Sequence, residues 1–328
     1  MTGDKDNGDG GAKGDLRVMA AAQGGVLLTC QATSRGWDEN GLRYRLRKDG
    51  WTRIHRGAWA EPGRAVDLGL RLLAVQTARP GVVASHTSAA ALHGIELLDA
   101  PAVEFTSQDL GRRFLLHGGV LHRIPFGEAD VVQFARLRVT TVCRTAVDLL
   151  CAASRDMALL AVESALSERP VPGHPQARRP ALVHLAEIAA ALRAAPGRRG
   201  QARASRHLAF ADARSGSPAE TIARLRMHDA GLYPELQARL TTADGRRLRP
   251  DFLFRAEGLA VEIEGYRWHG TRQAHTEDVR RFNALGGCRE IRRILRFTAA
   301  DVFHRPEWMI ASVRSALAGL VSGEKRAR

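Results

Sequence analysis

The run "RPDFLFRAEGLAVEIEGYRWHG", residues 249–270, constrains the fold more than any other part of the chain. "LRPDFLF" and "LAVEIE" flank Arg255-Ala256-Glu257-Gly258, a four-residue turn ending in glycine, so the two runs pair as an antiparallel hairpin. With Phe254 opposite Leu259, Phe252 faces Val261, Asp251 faces Glu262 and Arg249 faces Glu264. Side chains alternate along a strand, so Pro250, Phe252, Phe254, Leu259, Val261 and Ile263 form an apolar face. Asp251, Glu262 and Glu264 gather on the opposite face. A slip of one residue would turn the apolar set to solvent, which pins the register.

That register opposes like charges, with Cβ atoms ~5 Å apart across the pair. Two arrangements relieve the repulsion. A hard divalent cation with oxygen ligands, Mg²⁺ or Mn²⁺, would hold Asp251 and Glu262 together; alternatively the face is solvated and Arg246 or Arg249 neutralises it. Upstream, "SPAETIARLRMHDAGL" starts a helix with Ser217 at the N-cap, Pro218 at N1 and Glu220 at N3. Glu220 therefore either caps its own helix or joins the acids. Downstream, "HTEDVRRFNALGG" reads as a helix with Val279, Phe282 and Leu285 inward, "REIRRILRFT" as a strand and "RPEWMIASVRSALAGL" as a closing helix.

The chain has 328 residues, enough for two or three domains. Its formal net charge of +14, mostly from Arg, favours a polyanionic partner, because each cation placed on a phosphate releases a counterion. Cys30, Cys143, Cys151 and Cys288 show no metal-binding spacing and read as buried thiols of a reducing cytoplasm. No apolar run approaches the ~20 residues a bilayer span needs, and the Gly/Asp-rich start has no apolar signal-peptide region, so a cytoplasmic location without membrane contact is expected.

Residues 1–15 read as a disordered lead, 16–62 as a first domain, 63–166 as a mixed α/β middle domain and 167–216 as an Arg-rich helical linker. A compact α/β module over 217–320 and a basic tail, 321–328, complete the expected order.

In the first domain, "DENGLRYRLRKDGWTRIHRGAWAEPG" opens a helix with Asp38 as N-cap, Leu42 and Leu46 on one face, and Gly50 as its stop. Two short strands follow around a turn at Arg56-Gly57. A helix followed by a basic hairpin is the order of a winged helix-turn-helix, whose second helix enters the DNA major groove. Arg43, Tyr44, Arg47 and Lys48 then line the exposed side of the helix, and Arg53, His55 and Arg56 reach the backbone or minor groove from the wing. The bland alternative is a solvated basic helix beside a structural hairpin.

The same stretch, "GGVLLTCQATSRGW…LRYRLRKDGWTRIHRGAWAEPG", resembles the N-terminal winged-helix domain of AbiEi-type antitoxins, with Trp59 at a position that usually holds Tyr. "ASHTSAAALHGI" and "VTTVCRTAVDLL" resemble segments that follow this domain in many actinobacterial proteins, so the likeness spans roughly residues 16–165. The module 217–320 resembles the DUF559 group, relatives of the Vsr mismatch endonucleases, through "PDFLF", "VEIEGYRWHG", "RFN" and "LRFTAADV". The fold this implies is α/β (α+β multidomain), ending in a restriction-endonuclease-like domain with a central mixed sheet.

The resemblance also implies a PD-(D/E)xK arrangement in which Glu220, Asp251 and Glu262 are the helix glutamate, the aspartate and the second acid. Glu264 stands where that superfamily carries Lys, and Trp268-His269 matches a pair the Vsr enzymes use. The implied chemistry is metal-dependent cleavage or nicking of DNA, with Asp251 and Glu262 on the metal, Glu264 or His269 accepting the proton, and Arg267 or Arg280 on the phosphate. A regulator or antitoxin with a catalytically silent nuclease fold is the alternative, with DNA and a cognate toxin or a second copy of the chain as partners. RNA is a third substrate class, since basic charge does not separate the polymers.

Overall fold

The computed structural model describes residues 15–108, 119–171, 174–195, 197–242, 245–264, 280 and 282–327. It is a mixed α/β protein whose contacts divide it into two compact units, residues 1–151 with 190–195, and residues 152–189 with 196–328. Among the described residues, no helix is long and apolar enough to cross a membrane.

The first unit begins with helix α1 (Leu16–Ala22), strand β1 (Val26–Leu28), helices α2 (Thr29–Thr33) and α3 (Glu39–Lys48), and strands β2 (Thr52–His55) and β3 (Ala58–Ala60). The strands form an antiparallel sheet in the order β1-β3-β2. Asp38 starts α3 by accepting the Gly41 amide at 2.8 Å, and Gly50, at φ +78°, ends it in the left-handed region. Leu42 and Leu46 are fully buried beside Trp51, Trp59, Leu27 and Met19. That burial turns the opposite, basic side of α3 outward. The hairpin turns at Gly57, φ +87°, so the expected helix-then-wing order is the observed one.

Helix α4 (Leu68–Ala78), strand β4 (Val83–Ala84), helix α5 (His86–Leu92), strands β5 (Glu104–Ser107), β6 (Val120–Arg123), β7 (Val131–Phe134) and β8 (Leu137–Thr140), and helix α6 (Val142–Ala152) follow. The sheet order is β6-β5-β4-β8-β7, with β5–β6 and β4–β8 parallel and the other pairs antiparallel. Leu72, Val75, Ala84, Phe105 and Val139 form its core.

The second unit contains α7 (Arg155–Leu166), the hairpin β9 (Arg169–Val171) and β10 (His174–Arg179), α8 (Leu185–Arg193), whose end groups with the first unit, α9 (Gln201–Leu208) and α10 (Pro218–Asp229). Strands β11 (Glu235–Leu236), β12 (Leu240–Thr241), β13 (Arg247–Leu248), β14 (Phe252–Phe254), β15 (Leu259–Glu264) and β16 (Arg293–Thr298) follow, then α11 (Ala299–His304) and α12 (Pro306–Ala327). The main sheet is mixed, in the order β11-β14-β15-β16, with only β15–β16 parallel. Helix α7 joins α10 through Glu163 and Arg224, both buried, with Thr221 donating to the same carboxylate at 2.6 Å. A carboxylate stripped of water needs this cation and these donors.

Several expectations change. The hairpin register is as expected, Phe252↔Val261 and Phe254↔Leu259, but both faces of the sheet are covered. Leu253 and Ala260, on the side expected to be wet, are fully buried with Leu240, Leu285 and Ile291. Residues 167–216 are not helical throughout, since they contain the β9–β10 hairpin, and α7 folds with the second unit rather than with the middle region. The closing helix α12 runs through residues 321–327, where a tail was expected. Cys30 is exposed and Cys143 half-buried; only Cys151 and Cys288 are buried thiols.

Candidate functional site

The acids of the second unit are brought together by three different elements. Ser217 caps α10, its Oγ accepting the Glu220 amide at 3.2 Å, with Pro218 in the first turn. The Glu220 carboxylate does not close the capping box on Ser217; it accepts from the Gly216 amide at 2.8 Å. Asp251 sits just before β14, and its Oδ2 accepts from the Ile263 amide of β15 at 2.8 Å. Its own amide donates to Glu262 Oε1 at 3.3 Å, and Glu262 is buried on β15.

Gln237 links the Glu220 and Asp251 carboxylates. Its Nε2 donates to Asp251 Oδ1 at 3.0 Å and to Glu220 Oε2 at 3.2 Å. The backbone of Gln237 is left-handed, φ +48°, a conformation that costs a non-glycine residue about 1 kcal/mol or more. Its amide meanwhile continues the sheet by donating to the Asp251 carbonyl at 3.0 Å. Burial, and then the neighbouring Asp251 charge, push the Glu220 carboxyl up to about 7, against the opposing pull of the Gly216 amide, Ser217 and Arg169. Glu220 is thus poised to exchange a proton near neutral pH.

A set of carboxylate oxygens is the donor chemistry of a hard divalent cation, and the raised Glu220 marks a negative field of the kind such a cation relieves. Asp251 and Glu262 remain the residues that would hold it. Glu264 is placed differently from the expectation. It forms an ion pair with Arg296 of β16 at 2.7 Å, so its carboxylate is engaged and does not stand ready as a proton acceptor. The Arg296 guanidinium also lies over the Phe282 ring, 4.9 Å from its centre. Arg280 is exposed, while Arg267, Trp268 and His269 lie outside the described residues.

In the first unit, Arg43, Tyr44, Arg47, Lys48, Arg53 and Arg56 are all exposed, Tyr44 to 70%. Arg43 pairs with Glu39 at 2.5 Å and Arg45 with Asp49 at 2.7 Å, so one turn of α3 is internally balanced. Among the described residues, Arg47, Lys48 and Arg56 make no ion pair.

No family model matches the chain. Two Mycobacterium tuberculosis proteins are similar to it, the uncharacterized proteins MT2308 of strain CDC 1551 / Oshkosh and Rv2248 of strain ATCC 25618 / H37Rv. Each is 31% identical over 230 residues, covering 70% of this chain and 79% of the relative. The chain belongs to the family of these two proteins. Among solved structures, the crystal structure of RV2827C protein from Mycobacterium tuberculosis is similar over 67% of this chain and 82% of that one, with 19% identity and a TM-score of 0.40.

Two residues of this member of the Rv2248 family escaped the sequence reading. Gln237 lies after the two-residue strand β11, in a stretch with no periodicity, and only the fold brings it to the acids. Arg296 belongs to β16, whose parallel register sets it beside Glu262. The surplus of Arg hid it, although a basic residue set within the apolar run of "RILRFT" was visible.

Proposed function

We propose that this chain binds DNA through the basic side of α3 and its wing, and cleaves or nicks DNA phosphodiesters in its second unit with Mg²⁺ or Mn²⁺. The observation that carries this reading is the convergence of Glu220 from α10, Asp251 from the residue before β14 and Glu262 from β15, with Glu220 held at about 7. Asp251 and Glu262 would hold the cation, which when bound polarises the phosphate and lowers the pKa of its water. Glu220, already half-protonated near neutrality, is the group suited to move that proton. Gln237 donates to two of the carboxylates, and Arg296, opposite Glu262 in the parallel register, neutralises Glu264.

The test is nicking of supercoiled plasmid by the wild type, Asp251→Ala and Glu262→Ala in Mg²⁺, Mn²⁺ or EDTA. Nicking that needs metal and disappears in both variants is expected. Nicking that survives Asp251→Ala, or that is indifferent to EDTA, refutes the reading. One observation favours a second reading, a regulator or AbiEi-like antitoxin with a silent nuclease fold. Both Asp251 oxygens and the Glu264 carboxylate already have protein partners in Gln237, Ile263 and Arg296. Tight DNA binding without cleavage of DNA or RNA would support it.

A further inference from the structure

The first unit contains a second constellation, built from imidazoles rather than from acids. His86 opens α5, almost fully buried at 2% exposure, and its Nδ1 lies 2.9 Å from Ser85 Oγ. Its ring stacks on His122 of β6, with centroids 3.6 Å apart and planes at 21°. His122 Nε2 lies 2.9 Å from Glu104 Oε1, and Glu104 Oε2 accepts from the Thr87 amide at 2.9 Å and from the Thr87 hydroxyl. One ligating atom from each of His86, Glu104 and His122 lies within 4.8 Å of the other two.

The topology explains the meeting. Strands β5 and β6 are parallel, with Glu104 opposite Val120 and Thr106 opposite His122, so Glu104 and His122 are diagonal neighbours on one face. Pairing of β4 with β5, Ala84 opposite Phe105, delivers the β4–α5 junction to the same face. His86 reaches it only by adopting φ +50°, a left-handed backbone for a residue with a side chain. Strain of this kind persists where surrounding structure imposes it, and it clusters at functional sites.

We propose that His86, Glu104 and His122 form a three-ligand site for a zinc-type divalent cation. Two imidazoles and one carboxylate suit a borderline metal such as Zn²⁺, whereas Mg²⁺ favours oxygen ligands alone. The supporting contacts are those of a metal site: Ser85 holds one ring nitrogen of His86 and Thr87 holds one oxygen of Glu104, fixing how each side chain is presented. A tetrahedral ion with bonds of ~2 Å spaces its ligand atoms ~3.3 Å apart, so side-chain rotation, including a turn of the stacked rings, closes the cluster on it. Three protein ligands leave a coordination position for water, the arrangement of zinc sites that do chemistry.

The experiment titrates untagged, chelator-stripped full chain with Zn²⁺ against a chromophoric chelator, and with Co²⁺ read by visible absorption. One equivalent of Zn²⁺ and the intense absorption of tetrahedral Co²⁺ are expected, unaffected by Asp251→Ala. His122→Gln and Glu104→Gln should each weaken Zn²⁺ by at least ~100-fold and abolish the Co²⁺ spectrum, a loss no smaller than that of removing an outer-shell partner. Metal-free melting temperature and circular dichroism identify whichever of these two variants keeps the fold, and that variant decides. Absence of stoichiometric Zn²⁺ binding in the wild type, or binding unchanged in the folded variant, overturns the proposal.

Discussion

Replacing Glu220 by Gln tests the electrostatics of the acidic cluster without removing its shape. The carboxyl has an ordinary value of 4.5 and is pushed up to about 7 in the fold, by burial first and by Asp251 second. The folded state therefore holds this proton more tightly than the unfolded chain does. The stability that Glu220 contributes is complete below pH ~4.5 and is lost as pH rises through about 7. At about 1.4 kcal/mol per pKa unit, the change from 4.5 to about 7 amounts to about 3 kcal/mol. Glu220→Gln keeps the volume and an acceptor for the Gly216 amide but carries no charge at any pH. Wild type and variant should match near pH 5, and the variant should be the more stable near pH 8.

Hydrogen exchange suits a chain of two units, because it reads the second unit alone. The Ile263 amide, which donates to Asp251, lies near the C-terminal end of β15, beside the acids. The ratio of protection in Glu220→Gln to that in wild type should rise roughly 100-fold between pH 5 and pH 8, the pH dependence of intrinsic exchange cancelling in the ratio. Mg²⁺ at millimolar concentration should flatten the wild-type dependence by stabilising the ionised carboxylates. A ratio that does not change with pH would show that Glu220 ionises as an ordinary glutamate, and the argument from charge crowding would fall with it.

Three further outcomes are expected. Arg47→Ala and Lys48→Ala should each reduce the slope of log K against log salt for duplex DNA by ~0.9, and Arg43→Ala by less because Glu39 already holds that charge; equal slopes in all three would refute the pairing argument. Glu163→Ala should cost ~3–5 kcal/mol in urea denaturation of the second unit, because Arg224 is left buried without its partner, while Glu163→Leu with Arg224→Met should recover most of the loss. Gln237→Gly should be more stable than Gln237→Ala by about 1 kcal/mol, since both lose the amide bridge but only glycine accepts φ +48° without strain; the reverse order would argue that the backbone there relaxes freely.

Local physics made much of this fold readable. The Asp38 cap, the Leu42/Leu46 spacing and Gly50 define α3 without help from the rest of the chain, and the Arg255–Gly258 turn sets the β14–β15 register. What failed was tertiary. The alternation rule assumes a sheet wet on one side, yet "FLF" and "LAV" are unbroken apolar runs, and Leu253 and Ala260 are buried on the second face. The pairing of Glu264 with Arg296 spans a parallel crossover that no local pattern announces. The Pro-bearing hairpin β9–β10 defeats strand propensity, and α12 continues past a Ser-Gly pair because helix already in place propagates cheaply.

The strained backbone positions make a separate argument that these clusters are more than accidents of packing. Among the described residues, three that are not glycine have a left-handed φ: His86 at +50°, Ala135 at +53° and Gln237 at +48°. Ala135 needs no function to explain it. It lies in the two-residue connection between β7 and β8, where Phe134 pairs with Leu137, and short hairpin turns demand positive φ to follow the twist of their strands. His86 and Gln237 join no paired strands, so turn geometry does not account for them. Each instead carries a polar side chain into a group of carboxylates or imidazoles that would repel or stay unbalanced without a partner. A sequence selected only for stability would relax such positions with glycine or move the charges apart. The coincidence of backbone strain with crowded ionisable groups, once in each unit, is the pattern expected where a fold gives up stability to hold a site.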